Sequence, residues 1–327
     1  MPNISPALAK LLFVVAAAVV PLVFASGYQT FQLTMVVIYA LSVLGKNLVT
    51  GYGGQVSLGQ GAFYAVGAYT AAILMDHWDV PYWATLPVAA VTSGMVGLML
   101  GLPALRLGGL YLALVTFALA ISVPQLLKYK AFDTWTGGVQ GIVITKPDAP
   151  FNLPISADSW IYLFTLAVGV AFFLAASNLV NSRIGRALKA IRDQPLAAEA
   201  MGVELARFKT LTFGVGAMFT GVGGALSAVA VGFVSPDSFS IALSLTLFVG
   251  MVVGGASSIS GSIYGALFIQ FVPNIAEEIS KAVPGVIYGV ILIGFMFFAP
   301  GGIAGVIAVQ WRRLRAAKQV GTGPAPS

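Results

Sequence analysis

The 327-residue chain contains no cysteine and a single histidine, His77. The first absence excludes a disulfide framework, a thiolate metal site and a cysteine nucleophile; the second leaves no imidazole cluster for a metal. Charge is also scarce. Only 9% of the residues are Asp, Glu, Lys or Arg, against roughly a quarter in an ordinary soluble domain, whereas 58% are hydrophobic. The apolar runs are too long and too little interrupted for a soluble core, and runs of about 18 or more such residues read as membrane-spanning helices. The net charge of +6 is not a nucleic-acid footprint, because the basic residues stand in short loops between apolar spans and not among aromatics on a polar face.

These features predict an all-α polytopic membrane protein. Apolar spans fall near 8–26, 30–49, 61–75, 82–102, 108–127, 160–180, 210–232, 241–253, 261–272 and 285–299, about ten in all. Several are shorter than the roughly 20 residues that cross a hydrocarbon core, so they must borrow from adjoining Gly-rich segments. Lys and Arg set the orientation, since short cytoplasmic loops carry the positive excess. An inside N-terminus gives the inner face twelve basic and three acidic residues, net +9, and the outer face four basic and eight acidic residues, net −4. Both termini are then cytoplasmic. Residues 1–310 form one transmembrane domain, with an outer loop at 128–159 and an inner loop at 181–209; 311–327 is a basic, then flexible, cytoplasmic tail. The span at 8–26 has a competing reading as a secretory signal, with Lys10 before it and Ala25, Ser26 and Gly27 after it, but its apolar run is long for a signal.

The two long loops differ in character. The outer one, with Trp135-Thr-Gly-Gly138, Gly141, Pro147, Pro150 and Pro154, has turn chemistry without helical periodicity. It is expected to pack over the outer helix ends; Phe132, Trp135 and Phe151 would also suit docking of an external partner. In the inner loop Ile184, Leu188 and Ile191 recur at i, i+4 and i+7, which predicts a short amphipathic helix. Asp193-Gln194-Pro195 then reads as a second helix start, with Pro at the first helical position and Gly202 as a left-handed stop. Ala197, Ala198 and Ala200 give this second helix a small face suited to a protein groove, where a Trp- or Lys-rich face would suit lipid.

Two Gly-rich interruptions precede short spans: Gly53-Gly54-Gln55-Val56-Ser57 before the third and Gly254-Gly255-Ala256-Ser257-Ser258 before the ninth. Irregular backbone at membrane depth is tolerated where it is buried in protein or lines a cavity, and paired interruptions point to a transport path. The bland alternative is close helix packing at Gly and Ser. Gly53, Gln55, Ser57, Gln60, Tyr64, Ser257 and Ser258 are the path candidates. Lys46, near the inner end of the second span, is expected to snorkel to the interface, with a role in the path as the alternative. His77, in a short outer turn, has no second ligand and is expected to be solvated.

Several of these segments resemble those of a known family. Arg186-Ala-Leu-Lys-Ala-Ile-Arg-Asp-Gln-Pro-Leu-Ala-Ala-Glu-Ala-Met-Gly202 resembles the coupling segment of branched-chain amino acid ABC-transporter permeases of the LivM type. Gly51-Tyr-Gly-Gly-Gln-Val-Ser-Leu-Gly-Gln-Gly-Ala-Phe63 with Gly67-Ala-Tyr-Thr-Ala71, Thr136-Gly-Gly-Val-Gln-Gly141, Ser235-Pro-Asp-Ser-Phe239 and Phe298-Ala-Pro-Gly-Gly302 resemble further signatures of that family, in its order. Gln60 departs from the histidine found in many members, and Lys46 is unusual. The resemblance implies a bacterial inner-membrane importer of branched-chain amino acids or a related small polar solute such as another amino acid, an amide or urea. Its expected partners are a homologous second permease subunit, two cytoplasmic ATP-binding subunits, an extracytoplasmic substrate-binding protein and membrane lipid, with no nucleic acid. It implies a cytoplasmic coupling helix between helices 6 and 7, and the residues for ATPase coupling would be Arg186, Arg192, Asp193, Gln194, Pro195, Ala197, Ala198, Glu199 and Gly202.

The chain itself is expected to be non-catalytic and to bind no cofactor, with ATP and Mg held by the partners. Its one Gly-Lys pair, Gly45-Lys46, is followed by Asn47 and has Ala40 where a phosphate-binding loop needs Gly. An intramembrane hydrolase would need a nucleophile beside a base, and no such pair is placed to meet. A self-contained secondary transporter or channel is the alternative; against it, no Asp or Glu lies in a predicted span core, where ion-coupled carriers place ionisable groups. A cysteine introduced at Ser159 is expected to react with impermeant maleimide added from outside. Labelling from the cytoplasmic face alone would reverse the orientation.

Overall fold

The computed structural model describes residues 15, 17–19, 21, 26–104, 109–150, 155–279, 284–299 and 301–310. Most of the expected span at 8–26, Phe151 and the tail 311–327 lie outside the described residues. The fold is nearly all helix. Its principal helices are α1 (Gly27–Lys46), α2 (Gln60–Trp78), α3 (Tyr82–Ala104), α4 (Leu110–Leu127), α5 (Ala157–Asn181), α6 (Arg183–Asp193) and α7 (Pro195–Ala200). They are followed by α8 (Leu205–Val231), α9 (Ile241–Gly254), α10 (Ile259–Ile279) and α11 (Pro284–Phe298). Among the described residues six helices are long and apolar enough to cross a membrane: α1 with its extension to Tyr52, α3, α4, α5, α8 and α10. Two shorter apolar helices occur at Ile241–Gly254 and Gly285–Phe295.

Local chemistry sets the element ends. Ser26, a residue that also fits a signal cleavage site, caps α1: its hydroxyl accepts from Gln29 N and the Gln29 side chain returns to Ser26 N. The short span expected at 261–272 is a longer helix, α10, that carries Pro273 within it. Lipid-embedded helices accept Pro because neighbouring helices cover the freed carbonyl. The loop between α4 and α5 contains a piece of sheet that no periodicity foretold. Ile142–Val143 (β1) pairs antiparallel with Phe233–Val234 (β2), and Ile144 N donates to Gly232 O at 2.8 Å. Two-residue strands are too short to leave an alternation in the sequence.

Helix α8 is the axis of the bundle. It packs on α3, α2 and α1; 78% of its apolar window and of the window of α1 is buried, against 22% for α5 and 28% for α4, which form the periphery. Between helices already surrounded by lipid the hydrophobic effect offers little preference, so close van der Waals approach at small residues decides the packing. A Cβ added at Gly67 of α2 would stand 1.9 Å from the carbonyl oxygen of Gly221, and one at Gly224 would stand 2.0 Å from that of Tyr64. Backbone meets backbone at these crossings. A core of Leu41, Leu44, Tyr64, Ala68, Phe219, Val222 and neighbouring side chains closes around them.

The contacts divide the bundle into two ends. At one, His77 Nε2 meets Thr134 O at 2.9 Å, Lys146 pairs with Asp158 at 3.2 Å, Lys128 pairs with Asp237, and β1 meets β2. At the other lie α6, α7, the segment 51–59 and residues 255–258. His77 is exposed, as expected, but it belongs to the last turn of α2 and not to a turn between helices, and its ring stacks on Trp135 at 5.2 Å and ties the helix end to the loop. Replacing Gly67 by Leu is expected to cost roughly 3 kcal/mol, the upper end for overpacking, read as a lower melting temperature in detergent. Gly294→Ala, where an added Cβ meets nothing within 4 Å, should leave the melting temperature unchanged.

Candidate functional site

After Lys46 the first long helix widens into a π-helical turn, Asn47–Tyr52, and the chain then runs irregularly from Gly53 to Gly59 before α2 begins. Such turns are frequent at functional sites. A second break separates α9 from α10 at residues 255–258, where Gly255 has φ +120° and Ser257 φ +61°. A non-glycine residue in the left-handed region is uncommon and needs partners to hold it. Here Ser257 N donates to Asn47 Oδ1 at 2.8 Å and Ser257 Oγ donates to Gly51 O at 2.6 Å. Asn47 Nδ2 in turn donates to Ser258 O at 2.8 Å. The two interruptions, more than 200 residues apart in sequence, are one joined structure.

Arg192 completes the joint from outside. It sits near the end of α6, and its Nη1 donates to Gly51 O at 3.3 Å and to Ser257 Oγ at 2.5 Å, one bond to each interruption. Asp193 Oδ1 accepts from Arg192 Nε at 2.8 Å and holds the guanidinium plane. Gly54, at φ +66°, lies so close that a Cβ would meet Arg192 Cγ at 2.9 Å. Lys189 Nζ lies 5.9 Å from the centre of the Tyr52 ring. The helix pair α6–α7 therefore rests directly on the widened turn. Gln55 adds a link to the start of α8, its Nε2 donating to Lys209 O at 3.2 Å.

The helix pair departs from expectation in three details. Asp193 does not start the second helix; it ends α6, because the residue before Pro195 cannot stay helical and Gln194 adopts φ −150°, ψ 87°. Pro195 opens α7 and Gly202, at φ +83°, follows its end in the left-handed conformation, as the spacing predicts. Ala198 does not face outward. It is buried in its own chain, whereas Leu196 and Met201 are 80% and 85% exposed. On α6 the buried stripe is Gly185, Leu188 and Ile191, and Ile184 is exposed. Arg186, Ala197 and Glu199 are exposed.

The path candidates gather around the same joint, with Ser257 and Ser258 half-buried. Gln55 and Ser57 are buried, as are Gln60 and Tyr64 at the start of α2, and Gly53 closes the widened turn. Ser258 Oγ lies 3.1 Å from Ser260 Oγ and accepts from Gly261 N. Two members carry unpartnered buried atoms, Gln55 Oε1 and Gln60 Nε2, which is the exception that calls for an explanation. Lys46 overturns its expectation: it is fully buried, and its Nζ donates to the carbonyl oxygen of Ser57. The segment 53–59 folds back over the end of α1 and closes the route by which the side chain would snorkel. Asn47, Thr220 and Ser244 also belong to this cluster and carried no sequence signal, because one polar residue in an apolar span has no periodicity.

Residues 29–299 match the family described as the branched-chain amino acid transport system permease component. The chain is 31% identical over 298 residues to the high-affinity branched-chain amino acid transport system permease protein LivM of Salmonella typhimurium, covering 83% of this chain and 68% of that protein. LivM of Escherichia coli is 30% identical with the same coverage. A probable branched-chain amino acid transport permease protein LivH of Methanocaldococcus jannaschii is 24% identical, covering 78% of this chain and 84% of the relative. No solved structure matches.

Arg192→Ala removes both bonds to the interruptions. Amide exchange at Gly53, Gly54 and Gln55 is expected to accelerate about tenfold, as for loss of ~1.4 kcal/mol of local stability, while amides in the middle of α8 keep their protection. Equal exchange in both proteins would mean that the joint holds without the guanidinium.

Proposed function

We propose, since the chain belongs to the permease family of branched-chain amino acid transport systems, that it is the membrane-spanning subunit of an ATP-binding-cassette importer. It is a multi-pass membrane protein, and the full complement we assign is about ten crossings in the bacterial inner membrane with both termini cytoplasmic. The solute is a branched-chain amino acid or a related small polar molecule handed over by an extracytoplasmic binding protein. A homologous permease subunit completes the path, and two cytoplasmic subunits bind ATP and Mg. This chain contributes no catalytic group of its own.

The observation that carries the reading is Arg192, which reaches from the exposed helix pair to both helix interruptions. A motor can bias a membrane protein only through an element that it holds differently in its two nucleotide states. In our reading α6–α7 is that element, with Arg186, Gln194, Pro195, Ala197 and Glu199 on its accessible surface. Movement of the pair would pull on Gly51 and Ser257 together through the Arg192 guanidinium, held by Asp193, and so change the geometry of the segments that carry Gly53, Gln55, Ser57 and Ser258. Irregular backbone has no helical hydrogen-bond ladder to break, so it can change φ and ψ at low cost. Ala198 acts inward, anchoring α7 to its own chain, and Gly202 ends the helix.

Leu196 and Met201 supply the docking contact, because large apolar side chains at such exposure are anchors for a groove. Replacing both by Asp is expected to weaken retention of the ATPase subunits about thirtyfold, or ~2 kcal/mol, measured by co-purification in mild detergent. Membrane insertion of the chain should be unaffected. Full retention by the double variant would transfer docking to another surface, and solute uptake by this chain alone in liposomes would mark a self-contained carrier.

A further inference from the structure

The coupling scheme leaves the buried Lys46 unused. Lys46 is 0% exposed at the end of α1, with Nζ on the Ser57 carbonyl and 5.0 Å from the centre of the Phe248 ring. An ammonium has three protons to donate. All the acidic residues of the chain are among the described residues, and the ion pairs there involve His77, Lys128, Lys146 and Arg192, not Lys46. A buried cation without an anion is among the costliest arrangements in a membrane protein, and such groups mark solute and ion pathways.

Two further features converge on the same crossing. Gln60 is also 0% exposed, and in the orientation that lets its Oε1 accept from Thr220 Oγ1 at 3.0 Å, its Nε2 has no partner. Gln60 is the first residue of α2, a 19-residue helix whose N-cap, Gly59, offers no side-chain cap. The positive end of that helix dipole therefore lies within the cluster. Four helices meet there. Thr220 Oγ1 of α8 lies 2.6 Å from where a Cβ of Gly45, the neighbour of Lys46, would stand. Gly61 N donates to Ser244 Oγ of α9 at 2.9 Å, one turn before Phe248. Ser57, the acceptor for Lys46, stands three residues before Gln60. A cation, a free amide donor and a helix N-terminus, with no acid among them, match a carboxylate. Buried helix N-termini at interrupted helices receive anionic solute groups by this physics.

We propose that Lys46 and Gln60, at the N-terminus of α2, form a station for the carboxylate of the transported solute. The inference rests on the permease reading and narrows it: carboxylate-bearing solutes are accepted there, and neutral amides or urea are not. The solute anion offsets the desolvation of Lys46 while it is bound, and Gln60 Nε2 gains the partner it lacks.

The test uses the assembled complex in nanodiscs. Its probes are 4-methylpentanoate, an apolar carbon skeleton ending in a carboxylate, and 4-methylpentanamide, the neutral twin. The acid should raise the melting temperature of the complex and the amide should not, since a ligand of the folded state stabilises it by mass action. Lys46→Met should abolish the shift, Lys46→Arg should keep it, and Gln60→Leu should weaken it. Without ligand, Lys46→Met should melt higher than the parent, because an apolar group relieves an unpaired buried charge. Leucine uptake by the Lys46→Met complex should fall about tenfold, as for loss of one charged hydrogen bond. Equal shifts with acid and amide, a shift that survives in Lys46→Met, or a lower ligand-free melting temperature for that variant would each overturn the station; the last would make Lys46 a structural strut. If the parent complex shows the acid-specific shift but takes up no leucine when its loaded binding protein is supplied, the station stands and the importer reading fails.

Discussion

Backbone contact between helices is the constraint on which the rest of this protein depends. Where Gly67 meets Gly221 and Gly224 meets Tyr64, α2 and α8 touch without intervening side chains. In lipid there is little hydrophobic preference of one helix for another, so this approach, with its dispersion contacts, selects the neighbour. It brings the start of α2 against α8 and α1, and with it the irregular segment 53–59. That segment can leave helical geometry because it is enclosed by protein: Ser57 gives its carbonyl to Lys46, and Gln55 binds Lys209 O. Without the tight crossing its polar backbone would face hydrocarbon, at several kcal/mol for each unsatisfied group.

The two interruptions act as a unit because a few polar side chains bridge them. Asn47 binds the 255–258 turn through both ends of its amide, and Ser257 returns a hydroxyl to Gly51. Arg192 reaches the same two points from α6. A planar guanidinium is suited to this, since its donors keep a fixed spacing and lose little freedom when bound. Arg192 of the surface helix pair thus bonds to both helix breaks. Force applied to Leu196 or Met201 would reach Gly51 and Ser257 through one short helix.

Polar groups concentrate at this end of the bundle for a physical reason. The widened turn at Asn47–Tyr52 and the extended chain after it release backbone donors and acceptors from the helical ladder, and polar side chains are drawn to them. Most are satisfied: Thr50 Oγ1 binds Gln55 O and Thr116 Oγ1 accepts from Leu58 N. The exceptions are Gln55 Oε1, in the irregular segment 53–59, and Gln60 Nε2, at the start of α2. Burial of polar groups without partners lowers stability, which fits a region kept for binding and movement.

Composition alone determined the class of the chain, a multi-pass helical membrane protein. Apolar runs and the lysine and arginine bias depend on the bilayer and its faces, which act on each segment separately. Gly and Pro likewise determined the stop at Gly202 and the start at Pro195, because φ restrictions are local. Tertiary structure decided what required two distant segments to meet. The burial of Lys46 depended on residues 53–59 folding back over it, the inward turn of Ala198 on the neighbours of α7, and the pairing of β1 with β2 on strands too short to leave a pattern. The grip of Arg192 on Gly51 and Ser257 joins three segments far apart in sequence. A charged residue beside a helix break reads the same whether it faces water, lipid or a partner, and only packing distinguishes these environments.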